Sequence, residues 1–492
     1  MNVLAIGAVI LLITATLAIG LNGIQFARST SDFLTARREP RQLSVAAGIS
    51  GSFISAASVL GIAGLVLSYG IDMLWYPIGF TAGYLAILVL VAAPLRRSGA
   101  FTLPDFAELR MSSRTLRRIA SVFTVLIGWL CLVPQMKAAA MTITFLTGAP
   151  EIAGPLVVAL VSGLTIAAGG YNSIAVVQSV QYWLKLGAVA ISALVIWWVW
   201  IGDGSPSLGD SGWLEPFSGF AARAHPLYFS LAIVLATTFG VMGLPDTFTR
   251  YYSIKDGTEA RRTSFLVLVM LCGFYVFPPM LGALGRHFTP ELVGQSDMDL
   301  VALALPQAAM AGPAGAIVGA LVAIGVVAAI LSSTSGVTFA ISSTLTQDLL
   351  RRRLRGVAGF RLGVFITIAV PFMIAFAARD YNLADMVVMA MAVGASTFAP
   401  MLMLGIWWRG LSVPGAIAGM LTGGITSTGA VMLALFVPVP SGLEPYLAAP
   451  ATVTVPLAFL VTIGVSAATR DRRPSNASAL LGRLHTPERF QD

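Results

Sequence analysis

The chain has 492 residues, of which 57% are hydrophobic and only 11% charged, with a mean hydropathy of +0.85. That charged share is less than half of what a soluble domain carries, so the polar cover for a soluble chain of this length is missing. Disorder, collagen-like repeats and a disulfide scaffold are excluded, which leaves an all-α polytopic membrane protein. The two cysteines, Cys131 and Cys272, fall inside apolar runs and read as small buried residues.

The net charge of +8 does not point to nucleic acid once the charges are placed. Sorting the connections alternately puts 25 of the 30 basic residues on one side. They run from Arg28, Arg37, Arg38, Arg41, Arg96 and Arg97 through Arg110, Arg114, Arg117 and Arg118 to Arg351, Arg352, Arg353, Arg355 and the Arg470–Arg489 tail. Arg223, Arg286 and Arg379 fall on the other side, and Lys137 and Lys185 inside the membrane. This asymmetry predicts that the basic side is cytoplasmic.

In chain order, the apolar runs predict thirteen helices, at roughly 3–26, 43–69, 73–95, 118–146, 151–168, 173–201, 226–250, 262–285, 313–346, 359–378, 384–407, 412–437 and 449–468. An odd number places the N-terminus outside and the C-terminus inside. The first run lacks a basic leader and a cleavage site, so it reads as a retained helix. The longest outer loops are expected at about 202–225 and 286–312, rich in Gly, Pro and Asp. Residues 1–470 form one transmembrane unit, and 471–492 read as a disordered cytoplasmic tail.

The second helix carries Gly48, Gly51, Gly61 and Gly64 around a Ser/Ala-rich centre, and the seventh carries Gly240, Gly243 and Pro245. Small residues also serve close helix packing. The pairing is more informative. The two helices open blocks of five, at about 43–201 and 226–407, and interrupted helices at matching positions of two halves mark an inverted-repeat transporter with a midplane site.

Several segments resemble the sodium/solute symporter family. They are Ser31-Asp32-Phe33 through Arg37, Ser55-Ala56-Ala57-Ser58 with Leu60-Gly61, Thr102-Leu103-Pro104-Asp105-Phe106, and Pro134-Gln135-Met136-Lys137. Gly169-Gly170 with Gln178 and Gln181, Gly240 through Arg250, and Leu331-Ser332-Ser333 through Leu349 continue the match. The SAAS, GLP and QDL segments are most similar to its cation/acetate (monocarboxylate) branch. The resemblance implies a LeuT-type fold of two inverted five-helix repeats, in the inner membrane, with Na⁺ as coupling ion. It also implies a Na⁺ site made by the carbonyls of Gly51, Ile54 and Ala329 and the hydroxyls of Ser332 and Ser333. Neutral oxygens suit a hard monovalent cation. Intramembrane serines also bond back to their own helix, and both roles stand at this point.

By position, the solute would meet Ala57, Ser58, Gln135, Gly240 and Gly243. Few polar groups there suit a small, mostly apolar anion such as acetate, propionate or pyruvate; Na⁺- or H⁺-coupled carriage of an amino acid, sugar or vitamin is the alternative. Lys137 is expected as a counter-charge, a polar gate or a structural partner. Lys185 is expected to snorkel to a helix end. Gln178 is expected in the gating set. Two residues depart from the branch, which usually has an acid at Ser52 and a histidine at Asp246. Asp246 then either pairs with Arg250 one turn on or takes over electrostatics lost at Ser52. His225, His287 and His485 lie in loops or the tail without metal-ligand spacing, so an intramembrane enzyme is not indicated. No channel filter is visible, and no protein or nucleic-acid partner is called for.

Overall fold

The computed structural model describes residues 2–22, 42–209, 211–215, 217, 225–350, 356–377, 381–440 and 442–488. The segment Ser31–Arg37 and residues Arg28, Arg38, Arg41, Arg223, Arg351, Arg352, Arg353, Arg355, Arg379 and Arg489 lie outside them. Among the described residues every regular element is helical. Hydrocarbon supplies no hydrogen bonds, so each apolar run must satisfy its own backbone, and a helix does so.

The helices used below are α1 (Val3–Asn22), α2 (Gln42–Phe53), α3 (Ile62–Tyr69), α4 (Trp75–Ala86), α5 (Leu103–Met111), α6 (Arg114–Thr147) and α7 (Ala153–Gly202). They continue as α8 (Pro226–Gly240), α9 (Pro245–Tyr252), α10 (Gly257–Phe274), α11 (Phe277–Phe288), α12 (Pro313–Thr344), α13 (Gly356–Ala377) and α14 (Leu383–Trp407). The last are α15 (Val413–Phe436), α16 (Ala451–Ala468) and α17 (Ala477–His485). A π-helical turn, Ala57–Gly61, leads into α3. Ten described stretches are long and apolar enough to span a membrane, or eleven with the bent pair Leu227–Gly243 and Pro245–Tyr252. The expected thirteen are not counted, because Ala57–Ser98 and Ala153–Gly202 each run through two expected segments.

Each of those long stretches turns at a glycine: Gly70 has φ 82°, and Gly170 has φ 59° and ψ −155° inside α7. The Gly170 conformation is open to glycine and costly for any residue with a Cβ. It redirects α7, whose second half then packs along both α2 and α12.

The basic end of the bundle is tied together by its own charges. Thr102 and Asp105 form a reciprocal cap at the start of α5. Arg117 of α6 meets Asp105 at 2.7 Å, Glu108 at 2.6 Å and Asp348 at 2.6 Å, joining α5 and α6 to the π-helical turn Leu345–Leu349 that follows α12. Arg110, fully buried, donates to the carbonyls of Gly405 and Trp408 and so satisfies the C-terminal end of α14.

Three expectations need correction. The 471–492 tail is not disordered throughout: it contains α17, whose Leu484 is fully buried, and Arg97 donates to the Leu484 carbonyl and pairs with Glu488. The segment 286–312 is not a plain loop. It carries a helix at Val301–Ala309, and the buried Asp299 accepts a hydrogen bond from the Leu383 N–H. Cys131 is only half-buried and Cys272 is exposed, because on these helices an apolar face can point to lipid as well as to the core.

Replacing Gly170 by Ala should destabilise the chain by about 1–3 kcal/mol. Gly464 lies within α16 with open space where a Cβ would go. Gly464→Ala should therefore leave thermal unfolding in detergent unchanged or slightly raised. Equal melting temperatures for the two variants would refute the strain at Gly170.

Candidate functional site

The site begins where α2 stops. Its regular ladder ends at Phe53, Ile54 and Ser55 are non-helical, and a helix resumes at Ala56. Such a break frees carbonyls at the end of one half and N–H groups at the start of the next, and in a buried position each must find a partner. The structure supplies them from Ser58 just past the break and from three other helices, α6, α7 and α12.

On the N–H side, Ala56 donates to Gln135 Oε1 of α6 at 3.2 Å, and Ser55 donates to Ser58 Oγ at 3.3 Å. The Ser58 hydroxyl also lies 3.0 Å from the Tyr275 hydroxyl. Around them Phe53 stacks edge-on against Phe80 and Tyr84, and Phe80 lies against Tyr275. Ala57, Ser58 and Gln135 are therefore together at the break, as the sequence pattern suggested. Tyr275 and the aromatic wall are additions, because nothing in their local sequence separates them from ordinary apolar core.

On the carbonyl side the oxygens are gathered by an unexpected group. Lys185 Nζ donates to the Gly51 carbonyl at 2.5 Å, the Ile54 carbonyl at 2.9 Å and Ser332 Oγ at 2.8 Å. Lys185 does not snorkel: it is fully buried. The break in α2 offers freed carbonyl oxygens within its reach, and the ammonium bonds them. Gly51 permits the approach, since a Cβ there would lie 2.3 Å from the Gln178 carbonyl of α7. Gln178 and Lys185 are seven residues apart, two helical turns, and so share the face turned toward α12. That spacing was the available signal for Lys185.

The two serines of α12 divide their roles. Ser332 Oγ bonds back to the Ala329 carbonyl at 3.2 Å, so Ala329 is engaged by its own helix, while Gln178 Nε2 donates to the Ser332 carbonyl at 2.7 Å. Ser333 Oγ crosses to α2, donating to the Ser52 carbonyl at 2.6 Å and less closely to Ile54 at 3.4 Å. Four of the five expected ligands (Gly51, Ile54, Ser332 and Ser333) converge. Ala329 joins them only through Ser332.

The departures at Ser52 and Asp246 meet each other. Ser52 Oγ donates to Asp246 Oδ2 at 2.6 Å, linking α2, the first half of the broken helix, to α9. Asp246 sits in the first turn of α9, where a helix N-terminus favours a carboxylate. No ion pair joins Asp246 to Arg250 among the described residues. Arg250 lies over the Tyr171 ring at 5.3 Å and against Gly48. Arg250 still attracts Asp246 through space, so the one-turn pair is loosened rather than lost.

The remaining candidates are elsewhere. A Cβ on Gly240 would strike Met391, and one on Gly243 would strike Gly394, so both glycines serve the close packing of the α8–α9 break on α14. Lys137 is two residues from Gln135 and thus on a different face of α6. It donates to the Tyr381 carbonyl and lines a cavity of about 350 Å³ with Met136, Ala140, Glu151 and Asp297. It belongs to that cavity's wall rather than to the break in α2.

A family model described as the sodium:solute symporter family matches residues 33–423. The chain is 28% identical over 493 residues to the uncharacterized symporter YwcA of Bacillus subtilis, covering 94% of this chain and 93% of that one. It is 26% identical over 506 residues to a monocarboxylic acid transporter of Corynebacterium glutamicum, covering 93% and 90%. Among solved structures, a substrate-bound, outward-open Na⁺-coupled sialic acid symporter superposes with a TM-score of 0.68 at 14% identity, covering 94% and 98%. MhsT in complex with L-phenylalanine superposes with a TM-score of 0.56 at 13% identity, covering 87% and 99%. These likenesses give the fold, which is of the LeuT type. Transporter rather than enzyme, and spanning the membrane many times, this chain belongs to the sodium:solute symporter family, whose coupling ion is Na⁺.

Proposed function

We propose that this chain imports a short monocarboxylate, such as acetate, propionate or pyruvate, by alternating access. The observation that carries the reading is the N–H side of the break in α2. There the Gln135 carboxamide, the Ser58–Tyr275 hydroxyl pair and the buried Tyr84 hydroxyl are the polar groups beside the rings of Phe53 and Phe80. Gln135 spends its carbonyl on Ala56, which leaves its NH₂ as the end that can donate. A carboxylate needs a few donors, and a short alkyl group needs apolar surface. A sugar would require many more hydrogen bonds than this wall offers. The likeness to a monocarboxylic acid transporter supports the same class.

Lys137, in the wall of the cavity beside Glu151 and Asp297, suits an entry gate for an anion better than a direct substrate contact. Asp246 holds Ser52 and thereby α2, the first half of the broken helix, which suits a gate or an electrostatic support for the cation site. For topology the proposal is N-terminus outside and C-terminus cytoplasmic. It is supported by the gathering of Arg96, Arg97, Arg110 and Arg117 with α17 at one end.

In proteoliposomes with an inward Na⁺ gradient, labelled acetate, propionate or pyruvate should accumulate and exchange with unlabelled solute. Gln135→Glu, which sets a like charge beside the solute, should raise KM about tenfold or more. Accumulation of a hexose or an amino acid, with none of any monocarboxylate, would overturn the substrate class.

Asp246→Asn weakens a charge-assisted hydrogen bond and should lower Na⁺-driven uptake by about tenfold or more. Adding Ser52→Asp should restore part of it, and Arg250→Gln should not reproduce the defect. Wild-type uptake by Asp246→Asn would remove the role given to Asp246.

A further inference from the structure

A lysine is almost never fully buried without a partner of opposite charge. Lys185 is fully buried, and no ion pair involves it among the described residues. The helices α1, α2 and α12, which pack around this part of α7, carry no ionisable side chain at all. Its ammonium has three N–H donors, and it has three neutral oxygen partners at 2.5–2.9 Å. Two of those oxygens are carbonyls at the C-terminal end of a half-helix, where the backbone dipole presents negative charge. Such a cluster is built to hold a monovalent cation.

The same three oxygens, of Gly51, Ile54 and Ser332, are among those expected to hold Na⁺. The donor chemistry fits that ion, but the space between the oxygens is filled by Nζ. We infer that Lys185 supplies a tethered cation to the oxygen cluster between α2 and α12, so that its ammonium and Na⁺ are rival occupants of one site. Two cations within contact of the same three oxygens repel each other strongly in a buried setting. Na⁺ therefore takes the cluster only when the lysine has withdrawn from it. This rests on the reading of Gly51, Ile54 and Ser332 as cation ligands, and it is independent of which solute is carried.

The test is the Na⁺ dependence of thermal unfolding of the purified full chain in detergent, without solute, at constant ionic strength set with choline chloride. A bound ion raises the melting temperature by mass action, so the titration reports occupancy without transport. Lys185→Ala should lower the half-saturating Na⁺ concentration by about tenfold or more. Lys185→Arg, which keeps a fixed cation in the cluster, should leave the Na⁺ response at or below that of the wild type. A wild type that ignores Na⁺ beside a Lys185→Ala variant that responds supports the inference equally. If Lys185→Ala fails to fold, Lys185→Met supplies the neutral side chain with more of the volume retained.

Identical Na⁺ responses in wild type, Ala and Arg variants would overturn the inference, and so would no response in either neutral variant. The uptake panel fails separately. A chain that carries no monocarboxylate but shows these Na⁺ shifts loses the substrate class and keeps the rivalry at Lys185. One that carries acetate with an unshifted Na⁺ response does the reverse.

Discussion

The centre of the molecule is organised by one constraint: helix 2 breaks in the middle of an apolar bundle, and its freed backbone groups have no water to turn to. An unpaired buried amide or carbonyl costs about 1–3 kcal/mol. The break at Ile54–Ser55 therefore persists only because other helices answer it. Gln135 of α6 takes the Ala56 N–H, Lys185 of α7 takes the Gly51 and Ile54 carbonyls, and Ser333 of α12 takes the Ser52 carbonyl. Each bond is also a tie between helices, so satisfying the break assembles the site.

The two sides of the break have opposite polarity and so different chemistry. The N–H side, with Gln135, Ser58 and Tyr275, can meet an anion. The carbonyl side, with Ser332 and Ser333, can meet a cation. A symporter needs the two ligands to be sensed together, and one interrupted helix contacting both is an economical way to link them. Asp246 extends this link to the second interrupted helix through Ser52, and Arg117 with Asp348 fastens the turn that follows α12 to α5 and α6. The bundle is thus tied at its basic end and at the break.

Much of this was legible from residue types. Apolar length and the placement of arginines pointed to a many-helix membrane protein, because a bilayer imposes both. Glycines and prolines at matching points of two blocks marked the α2–α3 and α8–α9 segments as interrupted, and the structure gathers several small polar residues at the first break. The glycines of the α8–α9 segment were harder to read. Gly240 and Gly243 look like a loosened helix in one dimension, yet in three they are the places where α14 comes close. A missing side chain reports that something approaches, without saying whether it is a solute or a neighbouring helix.

By itself, the sequence determined the class, the family and the segments at which backbone is freed, since each follows from composition or local pattern. Tertiary structure decided which side chain answers each freed group. Lys185 and Gly51 are 134 residues apart, and Ser52 and Asp246 are 194 apart. Neither pairing follows from local spacing: the first depends on how α7 runs beside α2 after Gly170, the second on how α9 packs against α2. A lysine in an apolar helix can reach outward to water or inward to carbonyl oxygen. The inward choice is made by the neighbouring helix that happens to be broken there.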